Sequence, residues 1–476
     1  MNYLDILNEY KQEMIAALGE LVAYPSVAAE AVRTADGEVL PFGRSVHDVY
    51  VHTLKLGDAM GMSSFNAHNY GGHIELRSDT DNAETLGIIA HLDVVPGGSG
   101  WTGEAFKLEE RDGFLYGRGV SDDKGPLVAC LYAMKAIKES GAPIKKNIRL
   151  ILGLDEDVGC SVMAHYLEAA GAPDMGFTPD ADFPLVNGEK GILDFNMGQK
   201  LTRQSSKDGL RLTKLEAGTA SNAVAANARA VITGDASLYG NLRDKLAQYV
   251  METEYRITGR RQGSSYVLEA EGVAAHGAHP EKGLNAVSVL MDFLGRVQFI
   301  NEELNDFIAF YNDKIGFKLH GEGLGCELSD EQSGKLSFNV GKASINEDYA
   351  QISVNVRYPV SCTADDVYKG IETSLENSRI GLIKKSDMKP IYMDIDNPLV
   401  ETLIGIYRDE TGDTDAMPYV IGGGTYAKFV PNTLAYGALF PGEEDTMHQV
   451  DERVSTASFF KMARIYARAI YSICCE

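Results

Sequence analysis

The stretch Gly87-Ile88-Ile89-Ala90-His91-Leu92-Asp93-Val94-Val95-Pro96 decides how the rest of the chain is read. A short apolar run ends in a histidine, and an aspartate follows two residues later. Bounded by Pro96-Gly97-Gly98, the run reads as a buried strand. Side chains alternate along a strand, so His91 and Asp93 face the same way. Asp93 is thereby placed to accept the proton of one ring nitrogen while the other binds a metal. A plainer reading competes with this one: a histidine and an aspartate hydrogen-bonded at a strand end for structure alone.

The neighbouring segments weigh in. Asn147–Leu154 is a second apolar strand, and it ends in Asp155-Glu156-Asp157 followed by Val158-Gly159. Three acids at the end of a buried strand are hard to explain by stability, because like charges crowd there and force one pKa up unless a cation is present. Between the two strands lies Gly117-Arg118-Gly119-Val120-Ser121-Asp122-Asp123-Lys124-Gly125-Pro126, in which Asp122 and Asp123 open a helix through Leu127, Leu131 and Met134. Acids at a helix start suit its dipole; the functional alternative is a carboxylate bridging two metal ions. Phe177-Thr178-Pro179-Asp180-Ala181-Asp182-Phe183-Pro184 adds two more acids in a proline-flanked loop. Strands thus alternate with helices, and His91 and the acids fall at the carboxyl ends of strands, where open α/β sheets bind ligands. The constellation is His91, Asp93, Asp122, Glu156, Asp157 and Asp180. Mixed histidine and carboxylate donors suit zinc, with cobalt or manganese as substitutes.

Composition bounds the reading. At 476 residues the chain has room for two or three domains, and at 44% hydrophobic it can bury a large core. The net charge of −24 argues against a nucleic-acid partner and against an anionic membrane surface. The six cysteines are scattered, with no CxxC, so neither a disulfide framework nor a zinc ribbon is expected. Met1-Asn2-Tyr3-Leu4-Asp5 has no signal-peptide character, and no apolar run reaches the length of a membrane span. The expectation is a reduced, cytoplasmic protein. Gly98-Ser99-Gly100-Trp101-Thr102 lacks the pattern of a phosphate loop and reads as a turn.

Taken together, HxD after an apolar strand, GRGxxDxKG, a DEExG-like element and a later TPDA-type aspartate resemble the dinuclear metallopeptidases of family M20. The segment 177–184, the long middle region and Asn355-Val356-Arg357-Tyr358-Pro359 resemble its dipeptidase branch. The resemblance covers essentially the whole chain. It implies an α/β fold: a mixed-sheet zinc-peptidase catalytic domain with an inserted α+β lid domain. The catalytic domain takes residues 1–190 and 391–476, and the lid residues 191–390. It also implies two zinc ions, with manganese or cobalt as substitutes. His91 and Asp180 hold one ion, Asp157 and His448 the other, and Asp122 bridges them. Asp93 orients His91, and Glu156 is the general base. One departure stands out: the family usually carries glutamate where this chain has Asp157, one methylene shorter.

Within 194–385 the residues 227–233 and 253–272 read as strands, and 242–250 and 284–297 as helices. Asn222, in the loop Gly218–Asn222, matches an asparagine that contacts the substrate or its oxyanion. His276, in Gly272-Val273-Ala274-Ala275-His276-Gly277-Ala278-His279-Pro280, matches the histidine that stabilises the oxyanion. Arg357 matches the arginine that binds the substrate carboxylate; without the resemblance it reads as a surface salt bridge. Elsewhere, residues 3–23, 44–60, 161–170, 397–411 and 453–473 read as helices. Ile421-Gly422-Gly423-Gly424-Thr425-Tyr426-Ala427 reads as opening another, whose amides at Gly423, Gly424 and Thr425 cradle the peptide's carboxylate. The resemblance implies hydrolysis of small peptides by a monomer or homodimer. An N-acyl amino-acid deacylase or desuccinylase and a non-catalytic metal-binding member are the alternatives.

Overall fold

Thr85–His91 forms a strand with a parallel neighbour on each side, Asn147–Gly153 and Met175–Thr178. A strand so enclosed is covered on both faces, which is why Leu86, Ile88, Ile89 and Ala90 run without polar alternation and are all buried. The computed structural model describes residues 2–204 and 208–476. The chain divides into two units: Met1–Gly188 with Tyr392–Val420 and Gly424–Glu476, and Glu189–Ile391 with Ile421–Gly423.

The first unit is built on a mixed sheet. Seven of its strands run in the order Val186–Glu189, Thr433–Ala435, Met175–Thr178, Thr85–His91, Asn147–Gly153, Gly72–Leu76 and Ser63–Asn66. From Thr433–Ala435 through Asn147–Gly153 the pairing is parallel; the flanking pairs are antiparallel. The helix Lys124–Ser140 packs on the strand Thr85–His91, on the helix Thr456–Cys474 and on the N-terminal helices Tyr3–Glu9 and Lys11–Val22. It is apolar nearly all round because it is buried nearly all round. The helix expected over 3–23 is interrupted at Tyr10, whose ring lies under the Lys135 ammonium, 3.5 Å from its centroid. The helix expected over 453–473 begins three residues later. Arg453–Ser455 is instead a strand paired with Phe114–Tyr116, and the Ser455 side chain caps Thr456–Cys474.

One close approach is decisive next to the site. A Cβ on Gly153 would lie 2.1 Å from the Tyr426 ring. Gly153→Ala should therefore cost about 1–3 kcal/mol of stability by overpacking. Thermal unfolding of the variant reads this as a lowered melting temperature.

The second unit holds an antiparallel sheet ordered Ile257–Gln262, Ser265–Glu271, Asn227–Gly234, Leu210–Ala217, Ser337–Asn346, Tyr349–Tyr358, Gly191–Lys200 and Gly381–Met388. Helices Tyr239–Thr253, Ala286–Leu294 and Ala364–Leu375 give their buried faces to its apolar core. The strand expected over 253–272 is a hairpin, because Gly263 takes φ 62° and makes a two-residue turn between Gln262 and Ser265. Ile421–Gly423, read from sequence as part of the catalytic domain, cluster with this second unit.

Candidate metal centre and active site

Parallel strands end on one side of a sheet, so His91, Asp155 and Asp180 leave together: His91 closes Thr85–His91, and the acids follow Gly153 and Thr178. Asp122 joins them from the turn before the helix Lys124–Ser140. Its Oδ1 lies 2.9 Å from His91 Nε2, and its Oδ2 lies 2.8 Å from His448 Nε2. One carboxylate thus faces two imidazoles, one through each oxygen. Asp180 Oδ2 is 3.7 Å from His91 Nε2, and Asp157 Oδ1 is 3.1 Å from His448 Nε2. Donor atoms of His91, Asp122 and Asp180 all fall within 4.8 Å of one another, and so do those of Asp122, Asp157 and His448. These two triads share only Asp122. Asp157 Oδ2 is buried with no hydrogen-bond partner among the described residues, a lone pair left for a cation. Two imidazoles and three carboxylates suit divalent metal ions.

The surrounding acids have separate tasks. His91 Nδ1 lies 3.0 Å from the Asp93 main-chain carbonyl and 3.4 Å from its Oδ1. The Asp93 carboxylate accepts the backbone N–H of Glu156 at 3.2 Å and of Asp157 at 3.1 Å. Asp93 therefore ties the histidine-bearing strand to the next turn, and this anchoring brings the shorter Asp157 within reach of His448. Asp155 plays a structural part: it accepts the Ser161 N–H and hydroxyl through one oxygen and the Val162 N–H and Tyr426 hydroxyl through the other. Asp123 sits at the helix start without capping it, and accepts the His91 N–H at 3.0 Å instead. Among the described residues no hydrogen bond reaches the Glu156 carboxylate, so its oxygens remain available.

The charges follow from this geometry. Burial and then the charge of Asp180 push the Glu156 pKa well above its ordinary value, the response expected of crowded acids. Burial disfavours charge on His91, but Asp122 and Asp93 override it and hold the pKa well up. Hydrogen bonds to Asp122 and Asp157 raise His448 to about 10. Without metal, the neighbouring carboxylates thus favour the protonated form of both imidazoles.

The second unit brings other expected residues into one neighbourhood. The Asn222 carbonyl accepts the Gly277 N–H at 2.7 Å, and Ala223 forms a backbone bridge with His276. Burial, then the charge of Arg357, lower the His276 pKa. Arg357 is buried rather than a surface salt bridge: Nε donates to Asn355 Oδ1 at 2.9 Å and Nη1 to the Gly422 carbonyl at 2.8 Å. The helix expected to open at 421–427 does not form. Tyr426–Lys428 is a single 3₁₀ turn, capped by the Thr425 hydroxyl, and Gly423 and Gly424 are loop. Pro431 cannot donate to a helical ladder, and the strand Thr433–Ala435 follows at once, so no helix dipole develops.

The pattern describing peptidase family M20/M25/M40 matches residues 87–472, which span every residue of this cluster. The chain belongs to that family. Several relatives carry the designation "Putative dipeptidase". YtjP of Bacillus subtilis (strain 168) is 33% identical over 466 residues, 97% of each chain. A protein of Staphylococcus epidermidis (strain ATCC 12228 / FDA PCI 1200) is 32% identical over 471 residues, 98% of each. The aminoacylhistidine dipeptidase of Vibrio alginolyticus shares the fold at TM-score 0.56 and 16% identity over 96% of both chains. Aminopeptidase PepT of Bacillus cereus ATCC 10987 does so at TM-score 0.55 and 15% identity, covering 97% of this chain and 98% of its own.

This M20 peptidase holds one further site residue that the sequence reading passed over. Glu452 is buried, with Oε2 2.6 Å from Arg118 Nη1 and Oε1 accepting three backbone N–H groups at Gly119, Ser121 and Asp122. Its only signal in the sequence is a glutamate four residues after His448, in a segment dense with charge.

Proposed function

We propose that this M20 peptidase is a two-zinc dipeptidase, cleaving the single peptide bond of short, unblocked substrates. The observation that carries the reading is Asp122, facing His91 through one oxygen and His448 through the other. His91 and Asp180 would hold one ion, Asp157 and His448 the second, and Asp122 both; manganese or cobalt would suit the same donors. Bound there, the ions supply Lewis acidity that lowers the pKa of a water and polarises the scissile carbonyl.

The chain's own residues do the rest. Glu156 takes the water's proton and delivers it to the leaving amine. Its carboxylate, which no hydrogen bond reaches among the described residues, supports that role. Asp93 keeps His91 and the Glu156–Asp157 turn in register. In the second unit His276 stabilises the oxyanion, and Asn222 and Arg357 bind the substrate, with Arg357 taking its free carboxylate. Burial of the guanidinium, with no carboxylate hydrogen-bonded to it among the described residues, supports this assignment. Gly423, Gly424 and Thr425 contribute as a loop to the same carboxylate. The second unit acts as the lid that excludes water. A cytoplasmic location is supported by six cysteines that are all free.

Metal loading should be coupled to proton release. A ligating imidazole must be neutral. His448 is raised to about 10, so at neutral pH it must give up a proton when metal binds. His91 must do the same. Zinc added to metal-free protein at neutral pH should release protons, and affinity should rise with pH. Calorimetry in buffers of differing ionisation heat measures this. In the metal-free protein, the stability His448 contributes is complete below about 6.5 and is lost as pH rises through about 10.

The experiment that tests the function is a panel of dipeptides set against N-acetyl and N-succinyl amino acids, using metal-loaded protein. Cleavage of dipeptides is expected. Cleavage of acyl amino acids alone would replace the reading with a deacylase.

A further inference from the structure

Glu452 and Arg118 form an ion pair whose side chains are only 1% and 2% exposed. Removing two charges from water costs several kcal/mol per ion, and such pairs are weak contributors to stability. The location of this pair gives a better reason for it. Glu452 Oε1 accepts the N–H groups of Gly119 at 3.0 Å, Ser121 at 3.0 Å and Asp122 at 3.3 Å, all within the turn that presents Asp122. Its Oε2 accepts from Arg118 in the same turn. Its main-chain carbonyl accepts the Gly117 N–H at 3.1 Å, and beyond it Arg453–Ser455 pair with Phe114–Tyr116. Everything Glu452 grips therefore belongs to the segment leading into Asp122.

Glu452 itself follows His448 by four residues. That short segment is an unfavourable one to hold still: His448 and Asp451 both take left-handed backbone, at φ 62° and 56°. Asp451 is fixed from outside, accepting the Thr102 N–H at 2.8 Å and hydroxyl at 2.6 Å. The Arg118 guanidinium lies 5.3 Å from the ring centroid of Trp101, the residue before Thr102. Three segments far apart in sequence, 101–102, 117–122 and 448–455, are thus clasped at Glu452 and its neighbour.

We propose that Glu452 is a positioning residue for the metal pair, locking the turn that carries the bridging Asp122 against the turn that carries His448. The inference rests on the reading of Asp122 and His448 as ligands. Glu452 touches neither substrate nor metal; it acts through the amides it binds. Without it the two imidazole-facing oxygens of Asp122 lose their fixed aim, although each ligand remains present.

The test uses Glu452→Gln in the full chain, with Co2+ as probe. Its affinity is measured by competition with a chelator, and the visible spectrum of the bound ion is recorded. A folded E452Q protein should bind cobalt about 10–100-fold more weakly. Its spectrum should be altered, and the activity lost should be recovered by excess metal. Affinity within twofold of the unsubstituted chain would overturn the proposal. If E452Q does not fold, Glu452→Asp keeps a charge for Arg118 and withdraws the acceptor by one methylene, with the same expected loss and the same overturning result. A third reading needs no variant: in the unsubstituted, metal-free protein the Gly119, Ser121 and Asp122 amides should exchange slowly, and exchange at the free-peptide rate would overturn the clasp. Failure of the unsubstituted chain to bind cobalt would instead defeat the metal reading itself, which keeps the two failures apart.

Discussion

Glu156→Gln should lower dipeptide turnover by about 10²–10⁴-fold, the range that general acid–base catalysis supplies. The amide is close in size and cannot take a proton from water. Several features make this substitution clean. Among the described residues nothing is hydrogen-bonded to the Glu156 carboxylate, so its loss leaves no partner unsatisfied. The turn is held by the Glu156 backbone N–H on Asp93, which glutamine preserves. Removing an acid crowded by Asp180, Asp122 and Asp93 should not weaken the fold, since burial and those charges already disfavour its ionised form. The variant should therefore retain its metal and its melting temperature while kcat falls. Steady-state kinetics with metal analysis on the same sample decides the matter. Activity that survives would move the base elsewhere.

The other large effect is expected at Asp122. Asp122→Asn keeps the shape and removes the negative charge between the two imidazoles. The triads His91–Asp122–Asp180 and Asp122–Asp157–His448 then both lose the carboxylate they have in common. Losing a group that merely supports a ligand costs about 10–100-fold in metal affinity, and losing a shared ligand should cost more. Bound metal should fall to at most one ion per chain, with hydrolysis falling below that of E156Q at the same metal concentration. The metal-free variant should respond differently again. In the parent, Asp122 is one cause of the raised His91 and His448 pKa values, so both should drop toward the ordinary histidine value in D122N. NMR titration of the imidazoles follows that change independently of activity.

The parts of this site that were legible in the sequence share a physical reason. An apolar run interrupted at its end by a histidine or an acid marks the carboxyl end of a buried strand, and parallel strands bring such ends together whatever the loops between them. Two runs of this kind place His91 and the Asp155–Asp157 turn; Asp180 was read in a proline-flanked loop, and the strand Met175–Thr178 before it carries it to the same side of the sheet. Which acid does what was not legible in the local pattern and came only from the family resemblance. Asp155, Glu156 and Asp157 are consecutive, yet one braces a helix start and Tyr426, one has no hydrogen bond to its carboxylate among the described residues, and one faces His448. Side-chain direction in a 3₁₀ turn depends on what grips its backbone, and the grip comes from Asp93, more than sixty residues earlier. Glu452 was illegible for a related reason: an acid in a charged stretch gives no sign that it is buried against three amides. The helix expected after Ile421 failed because local pattern was read without the strand that follows within eight residues of Thr425.

The proposed mechanism depends on one carboxylate, Asp122, serving two metal ions. Its most direct measurement is a zinc titration of the metal-free, unsubstituted protein that follows bound metal and dipeptide hydrolysis together. Binding should saturate at two ions per chain, with hydrolysis reaching its full rate as the second is taken up. Saturation at a single ion with full activity would contradict the role given to Asp122, and so would hydrolysis that persists in the metal-free protein.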